Sequence, residues 1–118
     1  MMMTEEELSA HYQSLSWTIA FHNRESNFDS TERLKAIYDQ IAILRRLQKM
    51  VEDRSKEIVD LRDEQNDAAD YVGRKALMLS VDDAKILTGV IVKNKRDRIV
   101  IMFEQGSKTV GSILYLAD

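Results

Sequence analysis

The first 72 residues contain neither glycine nor proline, the two residues that most often interrupt a helix. Proline is absent throughout, and all four glycines (Gly73, Gly89, Gly106 and Gly111) come later. Charge divides at the same place. Residues 1–72 carry 15 acids and 9 bases, whereas residues 73–118 carry 5 acids and 8 bases. Two composition regimes therefore meet near Val72-Gly73. We read residues 1–72 as a helical coiled-coil region that drives oligomerisation, and residues 73–118 as a small antiparallel β module. The expected fold class is α+β, a helical hairpin or coiled coil followed by a small sheet or barrel.

Thr4 and Glu7 stand at capping-box spacing, and the acids Glu5 to Glu7 suit the positive end of a helix dipole. Leu8, Tyr12, Leu15, Ile19 and His22 follow at steps of four and three, which is one face of a helix. The pattern lapses over residues 23–29, which are rich in turn formers, and Asp29 with Glu32 marks a second start. A long second helix is expected from Ser30 to Asp70. Its apolar seam is Leu34, Ile37, Ile41, Leu44, Leu47, Val51, Ile58 and Leu61. The steps from 41 to 44 to 47 are both three, so the heptad stammers there. Arg54 or Ser55 falls in the seam between Val51 and Ile58, where packing should weaken. Such a helix would be about 60 Å long, and the first helix covers only half of it. The uncovered seam calls for a second copy of the chain, so these eight residues are the expected oligomer interface.

Beyond Lys75 the spacing changes to short β-branched runs: 76–79, 85–92, 98–103 and 109–116. The polar breaks between them are too short for crossover helices, so the sheet should be antiparallel. Gly89 inside the second run suggests a bulge or bend. The segment from Met78-Leu79-Ser80-Val81-Asp82-Asp83 through Lys85-Ile86-Leu87-Thr88-Gly89-Val90-Ile91-Val92 to Arg98-Ile99-Val100-Ile101-Met102-Phe103 resembles the Sm-like and SH3-like small barrels. Shared features are a strand, a turn, a bent strand with a central glycine, a second turn and an apolar strand. Asp82-Asp83 stands where those barrels usually carry a glycine, and no diagnostic RNA-contact signature is present. The resemblance implies an oligomeric ring or a ligand groove between subunits.

The chain has no cysteine, which excludes disulfides, thiolate nucleophiles and thiolate zinc sites. His11 and His22 would lie about 16 Å apart on one helix face, too far to share a metal. The four glycines are isolated, so there is no phosphate loop and no dinucleotide fingerprint. Asp53, Glu57, Asp60, Glu64 and Asp67 recur at helical spacing and read as a solvated outer face rather than a cation site. No catalytic residue, metal or cofactor is expected, and the chain reads as a non-enzyme.

Two binding modes follow. In the first, the coiled coil assembles a homo-oligomer that holds a protein partner through the β module or first helix. Phage-encoded inhibitors and accessory factors are built in this way. In the second, Lys93, Lys95, Arg96 and Arg98 on one hairpin, with Arg74 before the sheet, capture a phosphate-bearing ligand at subunit interfaces. That ligand would be a nucleic acid or a signalling nucleotide, sequestered rather than transformed. No apolar run approaches the roughly 20 residues of a membrane span, and the acidic N-terminus is unlike a signal peptide. The expected location is the cytoplasm, with no membrane contact.

Overall fold

Thr4 caps the first helix as its spacing with Glu7 implies: its Oγ1 accepts a hydrogen bond from the Glu7 amide at 3.2 Å. The structure, a computed structural model, describes residues 3–25, 30–93 and 98–118. The second expected cap, Asp29, lies outside them. Two helices come first, α1 (Glu5–Glu25) and α2 (Ser30–Arg54). An antiparallel sheet of six strands follows: β1 (Glu57–Asp60), β2 (Lys75–Ser80), β3 (Lys85–Lys93), β4 (Ile99–Phe103), β5 (Gly106–Thr109) and β6 (Ile113–Leu116). A 3₁₀ turn (Ala68–Tyr71) lies between β1 and β2. The fold is α+β.

The chain divides into two compact units. Residues 1–49 and 79–85 form one, and residues 50–78 and 86–118 the other. In the helical unit, Ser16 meets Gln40 and Met3 meets Arg46. A later residue of α1 thus faces an earlier residue of α2, so the helices run antiparallel. Leu8, Ala36, Ile43 and Leu47 are buried. The turn Val81–Ala84 belongs to this unit, and the Ser9 hydroxyl donates to the Asp83 carbonyl at 3.0 Å.

The second helix stops at Arg54 and does not reach Asp70. Ser55 ends it. Its hydroxyl and its amide both donate to the Val51 carbonyl, at 2.6 and 3.1 Å. The next amide, Lys56, donates to Leu116 O at 2.8 Å, which draws the chain into the sheet. The β-branched pair Ile58-Val59 then runs as β1 against β6, with Ile58 opposite Tyr115 and Val59 opposite Leu114. Val59 is buried in the sheet core, an environment that an outward-facing helical position would not supply. β structure therefore begins at Glu57, 16 residues before Gly73.

The strand order is β1-β6-β2-β3-β4-β5. The run expected over 109–116 is a strand mainly at 113–116, and an additional strand, β5, occupies most of the break expected before it. Phe103 pairs with Gly106 across a two-residue turn, and Gly106 takes a φ of +136°, so the chain reverses into β5 before β6 begins. Val59, Ala76, Ile91, Ile99, Ile101, Leu114 and Leu116 make the sheet core. Gly89 serves close approach: a Cβ there would come within 2.5 Å of Met102 O and 2.6 Å of Ile101 Cγ2.

Candidate functional site

α2 carries two apolar stripes where the sequence suggests one seam. Ala36, Gln40, Ile43 and Leu47 recur at steps of four, three and four, and Val51 continues the same face one turn on. Ala36, Ile43, Leu47 and Val51 are buried. Gln40 is polar, but its Nε2 donates to Ser16 Oγ on α1, so its place in the inner face is satisfied. The second stripe is Leu34, Ile37, Ile41 and Leu44. Leu34 is 53% exposed and Ile41 38%, while Ile37 and Leu44 are partly buried. Tyr38 borders this stripe and is 67% exposed.

The stammer marks the crossing between the two faces. Two successive steps of three turn the helix by about 600°, which places Leu47 about 120° round from Ile41. Leu47 and Val51 are fully buried within the chain, so they are not available to a second copy. Ile58 and Leu61 also leave the expected interface, because neither is on the helix. Ile58 is on β1 with its side chain half exposed, and Leu61 packs against the sheet core. Ala36 and Ile43 were legible as a three-four repeat, which the polar Gln40 between them concealed.

On α1, the stripe Leu8, Tyr12, Leu15, Ile19 and His22 is the buried or half-buried side of the helix. Trp17 and Phe21 lie about 140–180° round from it. Trp17 is 70% exposed, and its ring stacks on Phe21 with centroids 5.6 Å apart and an interplanar angle of 14°. Their spacing of four places them on one face, a signal the sequence carries and a single-stripe reading passes over. His22 touches the edge of Phe21 at 5.6 Å, and His11 is exposed.

The expected anion cluster is brought together only in part. Lys93 ends β3 and Arg98 precedes β4, both exposed and next to the register pair Lys93–Ile99. Lys95 and Arg96 lie outside the described residues. Arg74 is engaged elsewhere in the sheet unit. Its guanidinium pairs with Glu57 at 3.3 Å and Asp118 at 3.3 Å, donates to Asp118 O at 2.8 Å, and lies 5.9 Å from the centre of the Tyr71 ring. The Lys75 amide and Arg74 together hold the Asp118 carboxyl below its ordinary pKa.

The acidic stripe is not a helix face, because only Asp53 is helical. Glu57 and Asp60 are on β1, and two of the stripe's acids, Asp60 and Asp67, organise turns, as does the neighbouring Asp63. Asp60 receives the Arg62 amide, Nε and Nη2 at 2.8–2.9 Å, and these bonds lower its pKa from 3.8 to about 2. Asp63 accepts from the Gln65 amide, and Asp67 caps the 3₁₀ turn by accepting from the Ala69 amide. Among the described residues no group of three metal-ligating side chains comes together, and no helix is long and apolar enough to cross a membrane. Comparison with protein-family models, with curated proteins and with solved structures gives no match.

Proposed function

We propose that this chain is a non-enzymatic interaction protein that works as a homo-oligomer, assembled through the outer stripe of α2. The exposure of Leu34, Ile41 and Tyr38 along a heptad-spaced face carries this reading. Apolar side chains at that spacing fit another helix, and their exposure in a single chain leaves a strip that water disfavours. The stacked Trp17–Phe21 pair lies on the far side of α1 from the buried stripe, which suits it to a separate protein partner. Aromatic side chains are common anchors in such contacts.

We also read the sheet unit as a small barrel of the Sm-like or SH3-like kind. A barrel needs its last strand to return beside its first, and β6 pairs with β2 after the β2–β5 meander. The close approach of Gly89 to β4 supports the same reading. The phosphate-sequestering mode has less support, because Arg74 already pairs with two carboxylates.

Light scattering on the full chain at micromolar concentration tests the reading. The account expects at least twice the 13.6 kDa chain mass, and a single-chain mass with native helicity would end it. For the aromatic pair, W17A/F21A should retain the wild-type mass. A fall to the single-chain mass would show that α1 carries the assembly instead.

A further inference from the structure

We propose that the outer face of α1 pairs with the same face of another copy, antiparallel, about a twofold axis at the level between Leu15 and Ser16. This rests on the reading of Trp17–Phe21 as a docking anchor, and it names the partner as a neighbouring copy distinct from the one on α2. Residues 8–23 contain no Asp, Glu, Lys or Arg, in a chain where such residues make up 31%. A helix face left to water normally carries charge, so this one is suited to a contact. Glu7, Ala10, Ser14, Trp17, Phe21 and Arg24 are all exposed, and they recur at steps of three, four, three, four and three. That is the spacing of a coiled-coil seam, on the side of α1 away from its buried stripe.

The seam is its own complement. Glu7 and Arg24, Ala10 and Phe21, and Ser14 and Trp17 share one midpoint in sequence. A twofold axis there sets Glu7 on the partner's Arg24, Ala10 on the partner's Phe21, and Ser14 on the partner's Trp17. Each inner layer then holds one aromatic and one small side chain, and each end closes with opposite charges. Parallel pairing sets every residue on its own copy instead. Trp17 would crowd the partner's Trp17, Ala10 would leave a gap against the partner's Ala10, and both ends would repel. The seam spans about 26 Å with two aromatic anchors per copy, which is the scale of a transient interface. The contact therefore forms well above the micromolar concentrations at which the α2 stripe assembles the chain.

Trp17 is the one tryptophan of the chain, so tryptophan fluorescence reports on this face alone. We would follow the emission of the full chain from about 1 to about 500 μM, with sedimentation velocity on the same samples. Salt of about 0.1 M confines charge effects to about 10 Å, so the end pairs act and net charge does not. The emission should move to shorter wavelength as the mass rises beyond that of the micromolar assembly. E7R and R24E should each need about tenfold more protein, because each turns two attractive pairs into two repulsive ones. An equal mixture of the two variants should recover the wild-type curve, since both ends of the mixed pair are again opposite in charge. An emission independent of concentration overturns the proposal and leaves assembly through α2 standing. A mixture no better than either variant overturns the antiparallel register. A single-chain mass at micromolar concentration, followed by the emission shift, supports the α1 contact while overturning the α2 reading.

Discussion

Ser9 on α1 and Asp83 in the β2–β3 turn are 74 positions apart in sequence, yet the Ser9 hydroxyl donates to the Asp83 carbonyl at 3.0 Å. Ser9 is buried and Asp83 is exposed, so the bond ties a buried hydroxyl to the backbone of a surface turn. The same turn is held from its other side, where the Ser80 hydroxyl donates to Asp83 Oδ2 at 3.3 Å. Replacing Ser9 with Ala should lower stability by about 1 kcal/mol, the usual net contribution of one intramolecular hydrogen bond. Urea denaturation followed by circular dichroism measures it. An unchanged midpoint would show that the bond contributes nothing.

Gly89 should accept no side chain. The Cβ of G89A would meet the Met102 carbonyl and Ile101 Cγ2, and a backbone atom in a paired strand has little room to yield. Overpacking of this kind costs about 1–3 kcal/mol. G111A is the matched control, since a Cβ there meets nothing within 4 Å. Thermal melts should show a clear loss for G89A and a much smaller change for G111A. Equal losses would contradict the close-approach account.

Asp60 should titrate well below the ordinary aspartate value of 3.8. Its pKa is lowered to about 2 by the hydrogen bonds from Arg62. A depressed folded value contributes stability above the unfolded pKa, and that contribution is lost as pH falls from near 3.8 towards 2. Carboxyl-carbon NMR should place the Asp60 midpoint near 2, and R62A should raise it towards the ordinary range. A midpoint in R62A equal to wild type would remove Arg62 as the cause.

Much of this architecture can be read from local chemistry. The Thr4 cap, the α1 stripe and the runs that became β2, β3 and β4 each depend on neighbours in sequence. The misreadings share one physical origin, partners supplied from far along the chain. Glu57 to Asp60 continues a helical spacing closely enough to read as helix, and pairing with β6 more than 50 residues later makes it a strand. Asp60 and Asp67 look like members of a charged helix face until their turns show which amides they accept. Ile41 and Leu47 look like members of one seam, because the stammer between them is the only local trace of a change of face.

The two stripes of α2 should respond differently to substitution. L47A removes a fully buried side chain from the helical unit and should cost about 2–5 kcal/mol. Denaturation at a fixed chain concentration reports this loss. A change under 1 kcal/mol would mean that the inner stripe is less tightly packed than its burial implies.

Sedimentation equilibrium of wild type beside I41D tests the central claim most directly. Ile41 is 38% exposed, so an aspartate there can remain solvated in a single folded chain but would be buried without a partner in an assembly. The account predicts a wild-type oligomer, and for I41D a 13.6 kDa monomer whose circular dichroism retains the native helix content. A monomeric wild type, or an I41D protein that sediments as the same oligomer, would contradict it.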